Sequence, residues 1–145
     1  MNGPPDGETR NLLGNVLLPV ANEPDAVKTA RALAPYEPTH VTALHVVEKG
    51  EGVPDKTPVV QSEEIAEDSY AAVREVFPEA SDHTVYRRNV VEAIFDAAET
   101  VDASAIAYRS RGGSRLMQFL SGDLSLKLVT NAERPVIALP VVEDE

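Results

Sequence analysis

The residues best suited to chemistry lie in one stretch, Tyr108-Arg109-Ser110-Arg111-Gly112-Gly113-Ser114-Arg115 followed by Leu116 to Leu120 and then Ser121-Gly122-Asp123. Glycines let a backbone turn tightly and bring its N–H groups close to an anion, and a helix N-terminus adds unpaired donors of its own. With three arginines beside them, such residues could hold a phosphate or carboxylate. The plainer reading is that Gly112-Gly113 is a flexible connection and Ser121 a helix cap. Other chemistries fare worse. Ser110 and Ser114 have no neighbouring histidine and no Gly-x-Ser-x-Gly elbow, which argues against a hydrolase triad. His40 and His83 are too far apart in sequence to suggest a metal cluster, and His45, inside an apolar run, reads as structural. Glu63, Glu64, Glu67 and Asp68 recur at helical spacing among polar neighbours and read as a solvated face. No catalytic residue and no metal ligand is therefore assigned, and the balance is against an enzyme.

These residues need a frame. Asn15 to Ala21 is a continuous apolar run, the pattern of a strand covered on both faces, with Pro19 near its end. Glu23 to Ala34 has small and apolar residues at spacings of three and four, Pro24 in its first turn and Pro35 as its stop, and predicts a helix. Thr39 to Val47 is a second strand. A Gly- and Pro-rich linker, Lys49 to Pro58, leads to a helix over Ser62 to Phe77. The alternation repeats as a strand at His83 to Arg88, a helix at Val90 to Val101, a strand at Ala103 to Tyr108, a helix at Ser121 to Asn131 and a last strand at Pro135 to Val142. Five strands alternating with four helices specify a three-layer α/β sandwich around a parallel sheet, because right-handed crossovers send helices to both faces. Ligands of such sheets bind beyond the carboxyl ends of the strands, which directs attention to the loops after the first and fourth strands.

Composition bounds the rest. The chain has 145 residues, 43% of them hydrophobic, enough for one core and one domain. It has no cysteine, so disulfides and thiolate chemistry are excluded. Residues 1–12 read as a disordered tail with neither a basic nor an apolar leader region, residues 13–142 as the domain and 143–145 as an acidic end. No apolar run approaches the roughly 20 residues of a membrane span, and the expected location is the cytoplasm. The net charge of −11 opposes association with nucleic acid or an anionic membrane. Only four of the 13 basic residues are lysine, a composition like that of proteins from salt-loving organisms.

Asn15 to Val20, Ala43-Leu44-His45-Val46-Val47-Glu48, Val91-Glu92-Ala93-Ile94, Gly112 and Gly122 with nine residues between them, and Asn131-Ala132-Glu133-Arg134-Pro135-Val136 resemble, in order and spacing, the universal stress protein family. The resemblance covers about Asn15 to Pro140. It implies a sheet of order 3-2-1-4-5, of the adenine nucleotide alpha-hydrolase-like, Rossmann-like kind, and usually a homodimer. In one branch of the family ATP is bound by Gly-x2-Gly-x9-Gly-Ser/Thr; another branch lacks nucleotide. Carried over, that motif keeps Gly112 and Gly122, while its first glycine falls on Arg109 and its hydroxyl residue on Asp123. The nucleoside-associated aspartate falls on Ala21 and a further glycine on Arg88; Pro19 and Val46, which would line the adenine pocket, remain. A carboxylate at Asp123 would repel a phosphate unless a metal or arginine intervened.

The expectation is that Arg109 or Arg88 pairs with Asp123 and fills the former phosphate site, leaving no cofactor. The alternatives are that the arginines take another anion by bidentate hydrogen bonds, or that ATP binding is retained, as a switch or with slow hydrolysis through a metal held by Asp123. The resulting picture is a stress-response homodimer paired through its last strand, whose apolar edge must be covered, with a protein partner as a further option.

Overall fold

The computed structural model describes residues 10–48, 59–87, 89–109 and 122–140. In chain order these form β1 (Val16–Pro19), α1 (Glu23–Leu33), a short 3-10 turn (Ala34–Tyr36), β2 (Val41–Glu48), α2 (Val59–Val76), β3 (Ser81–Arg87), α3 (Val90–Thr100), β4 (Ala105–Tyr108), α4 (Gly122–Thr130) and β5 (Val136–Ala138). All five strands join one parallel sheet of order β3-β2-β1-β4-β5. The expected alternation and strand order are both present. The linker at 49–58, Arg88, and the segment 110–121 containing Arg111, Gly112 and Arg115 lie outside the described residues.

The alternation of side chains along each strand divides the core in two. Val16, Leu18 and Val20 of β1, with Val41 and Ala43 of β2 and Ala107 of β4, pack against Ala26, Ala30 and Leu33 of α1 and Ala66, Tyr70 and Val73 of α2. Leu17, Leu44, Val46, Ile106 and Tyr108 face the other way, onto Val90, Val91, Ile94 and Ala97 of α3 and Leu128 of α4. Each fully buried leucine or isoleucine contributes about 1.5–3 kcal/mol of hydrophobic stabilisation. Tyr70 carries a polar atom into this core and satisfies it: its hydroxyl donates to the His83 carbonyl at 2.7 Å and shares a hydrogen bond with Thr84 Oγ1. Burial, the largest cause, pushes its pKa up to about 12, so the phenol remains protonated.

Local chemistry sets the element ends. Asn22 caps α1, its side chain accepting from the Asp25 N–H at 3.0 Å, and Asn89 caps α3 in the same way through Glu92. Pro35 tightens the end of α1 into the 3-10 turn, which closes on Glu37 at φ 54°. The last strand is shorter than its apolar run, three residues against the expected 135–142, because β4 offers partners only as far as Tyr108, whose carbonyl accepts from Leu139, and Pro140 has no N–H to continue. At the amino ends of the strands, Asn15 and Ser104 tie β1 to β4: Asn15 N–H donates to Ser104 Oγ at 2.9 Å, and the Asn15 amide donates to the Val101 carbonyl at 3.0 Å. That end is stapled shut by its own polar groups, leaving the carboxyl ends as the place for a site.

Candidate functional site

The strand order reverses between β1 and β4, so the crevice expected of a doubly wound sheet opens where these two strands end. The residues of β1 dictate that opening. Val16 and Val20 donate their N–H groups to the carbonyls of His40, just before β2, and of Leu44 within it, and by alternation the N–H positions of Leu17 and Pro19 face β4. Proline has no N–H. The β1–β4 ladder accordingly runs only over Val16 and Leu17, whereas the β1–β2 ladder continues to Pro19.

Across this opening lies a buried ion pair. Arg109, the residue after β4, points its guanidinium at Asp25 in the first turn of α1, with Nη2 donating to Oδ1 at 3.2 Å. Arg109 Nε donates to Thr29 Oγ1 at 3.4 Å, and that hydroxyl donates to Asp25 Oδ1 at 3.3 Å, closing a triangle. The other carboxylate oxygen, Oδ2, accepts the Ala21 N–H at 2.8 Å. Asp25 and Thr29 are 0% exposed and Arg109 is 4% exposed. A pair this dry holds only because its charges are matched and its lone pairs are used.

The strand parity explains the partner. Ala107 faces α1 and Tyr108 faces α3, so Arg109 returns to the α1 side, where Asp25 and Thr29 stand one helical turn apart. The expected pairing of Arg109 or Arg88 with Asp123 falls on residues outside the described ones, and among the described side chains the carboxylate that Arg109 meets belongs to α1. The Asp123 side chain lies outside the described residues, while Gly122 and Asp123 open α4 as the sequence suggests. Asp25 was missed as a site residue. The signal available was Asp25 and Thr29 at spacing i, i+4 on the helix that packs on the face Arg109 must occupy.

The remaining predicted positions are divided between the two faces. Pro19 ends β1, and Val46 is 6% exposed within the α3-side core. Ala21 is 8% exposed, and its backbone N–H is held by Asp25. No three histidine, aspartate or glutamate side chains among the described residues are grouped to hold a metal.

His45 lies beside β1 at the same end of the sheet. Its Nδ1 is 3.2 Å from the Val20 carbonyl, which can only accept, so Nδ1 carries the proton. Burial holds its pKa below the ordinary value of 6.5, outweighing the hydrogen bond to Val20 that works the other way. A histidine kept neutral in the fold binds its proton first in the unfolded chain. Stability is therefore unaffected by this group above about pH 6.5 and falls as pH drops below it. Urea midpoints between pH 7.5 and 5.5 are expected to decline, and His45→Gln, which can still donate to Val20, is expected to flatten that decline. An unchanged slope in the variant would count against the assignment.

A parallel sheet wrapped by two pairs of helices, with a crevice at its switch point, defines the class of doubly wound α/β proteins. The family model of the universal stress protein family matches residues 13–140, and the chain belongs to that family. Among solved structures it is similar to a universal stress protein from Archaeoglobus fulgidus, at 20% identity and TM-score 0.65, covering 88% of this chain and 98% of that one. The Archaeoglobus fulgidus universal stress protein in complex with dAMP has the same identity and coverage at TM-score 0.63. A universal stress protein in complex with cAMP is similar at 14% identity and TM-score 0.58, covering 89% and 98%. No curated protein sequence matches the chain significantly.

Proposed function

We propose that this chain is a nucleotide-independent member of the universal stress protein family, a cytoplasmic stress-response homodimer that works through protein contacts. The observation that carries this is the Asp25–Arg109 pair. The acid that the family resemblance associates with the nucleoside is replaced by Ala21, and the acid nearest to it in the described structure, Asp25, is buried and engaged with Thr29, Arg109 and the Ala21 N–H. A ligand reaching this crevice would meet neither a free carboxylate nor a free guanidinium at these two positions. The described β5 is a sheet edge with Ala138 exposed, the kind of edge that pairing with a second copy covers. The second reading, an ATP- or other anion-binding switch with slow metal-dependent hydrolysis through Asp123, draws its support from the relatives described in complex with dAMP and cAMP.

Extraction separates the two. Protein purified without added nucleotide, then denatured and analysed by chromatography of its supernatant, is expected to release less than a tenth of an equivalent of any adenine nucleotide, and light scattering is expected to give twice the chain mass. Release of near one equivalent per chain would favour the switch; a monomeric mass would remove the dimer from the proposal.

A further inference from the structure

We infer that the Asp25 carboxylate is the tethered occupant of an oxyanion site built from the Ala21 N–H, the Thr29 hydroxyl and the Arg109 guanidinium, so that the crevice is liganded by its own chain. The inference rests on the closed-crevice reading and specifies what closes it. Among the described residues, donors from three separate places in the fold, the β1–α1 turn, the second turn of α1 and the end of β4, converge on one carboxylate. These three, two neutral donors and a cation, have the make-up of a small-oxyanion receptor, and the guanidinium and hydroxyl are also linked to each other. The cation is 4% exposed and so cannot rely on water for its solvation. Asp25 supplies the anion from the third helical position of α1, held in place by the Asn22 cap on its own N–H.

Tethering decides which anion wins. A carboxylate fixed to the helix acts at an effective concentration far above that of any free anion, since well-oriented intramolecular groups reach on the order of 10⁵ M or more. A free carboxylate can enter only when Asp25 is removed. Asp25→Ala deletes the carboxylate and keeps Cβ, leaving a space of the size and charge preference of formate, a monocarboxylate with the same two oxygens.

The test is chemical rescue. The melting temperature of Asp25→Ala is expected to rise saturably with sodium formate, by several degrees over matched sodium chloride, while the wild type and the Asp25→Ala/Arg109→Met double variant show no difference between the two salts. An Asp25→Ala protein that responds equally to chloride, or not at all, would overturn the inference, as would equal rescue of the double variant. If Asp25→Ala is unfolded in buffer, the readout is formate-driven recovery of its far-ultraviolet circular dichroism, and its absence counts as failure. An independent check is a double-mutant cycle of Asp25→Asn and Arg109→Met, for which a coupling of at least tenfold in the folding equilibrium is expected and a smaller one contradicts the pairing. ATP titration of the wild type keeps the two claims apart: ATP binding refutes the closed crevice even if formate rescues the variant, and failed rescue refutes the oxyanion site even if ATP does not bind.

Discussion

Replacing Arg109 by methionine is expected to lower the stability of the fold by about 3–5 kcal/mol, the cost of removing one partner of a buried ion pair. The volume of the side chain is roughly kept, so the loss is electrostatic: the Asp25 carboxylate, 0% exposed, gives up the Arg109 guanidinium while its bonds to the Ala21 N–H and Thr29 hydroxyl stay in place. The sign of the companion change distinguishes this from a packing defect. Asp25→Asn made on top of Arg109→Met removes the buried negative charge while its amide oxygen still accepts from Ala21, and should recover a good part of the loss. Urea unfolding of the four proteins at pH 7, with the slope checked for constancy, measures both effects. If Arg109→Met costs under 1 kcal/mol, the guanidinium is not held as described.

Leu17→Ala is expected to cost a similar amount, about 2–5 kcal/mol, for an unrelated reason. Leu17 lies at the centre of the sheet, 0% exposed, on the face covered by α3 and α4. Truncation leaves a cavity between a central strand and its helices, and neither Asp25→Asn nor any other change on the α1 face should restore it. Its effect should therefore add to that of Arg109→Met, because the two residues occupy opposite faces of the sheet and share no partner. Strong coupling between them in the same urea experiment would mean that the faces are not independent.

Much of the architecture is legible in the sequence because its signals are local. The apolar run from Asn15, the helix bounded by Pro24 and Pro35, and the alternation that follows give the layers and their order without tertiary information. Strand ends are less legible. Pro135 to Val142 is apolar throughout, yet β5 stops at Ala138 because its partner β4 ends at Tyr108, which no local pattern in β5 records. The site is legible only in part. Arg109 is visible as a departure from a glycine motif, but its partner depends on which face of the sheet it leaves from, a parity that becomes decisive only when β4 and α1 are placed side by side. Motif spacing points forward to Asp123, outside the described side chains, while the described carboxylate that Arg109 meets lies 84 residues back along the chain.

A crevice between β1 and β4 that is closed by the protein's own side chains leaves no room for a nucleotide. Calorimetric titration of the purified protein with ATP, with and without Mg²⁺ and at low and molar salt, tests it most directly. No saturable heat is expected under any of the four conditions. Saturable binding of one ATP per chain would contradict it and return the protein to the nucleotide-binding branch of its family.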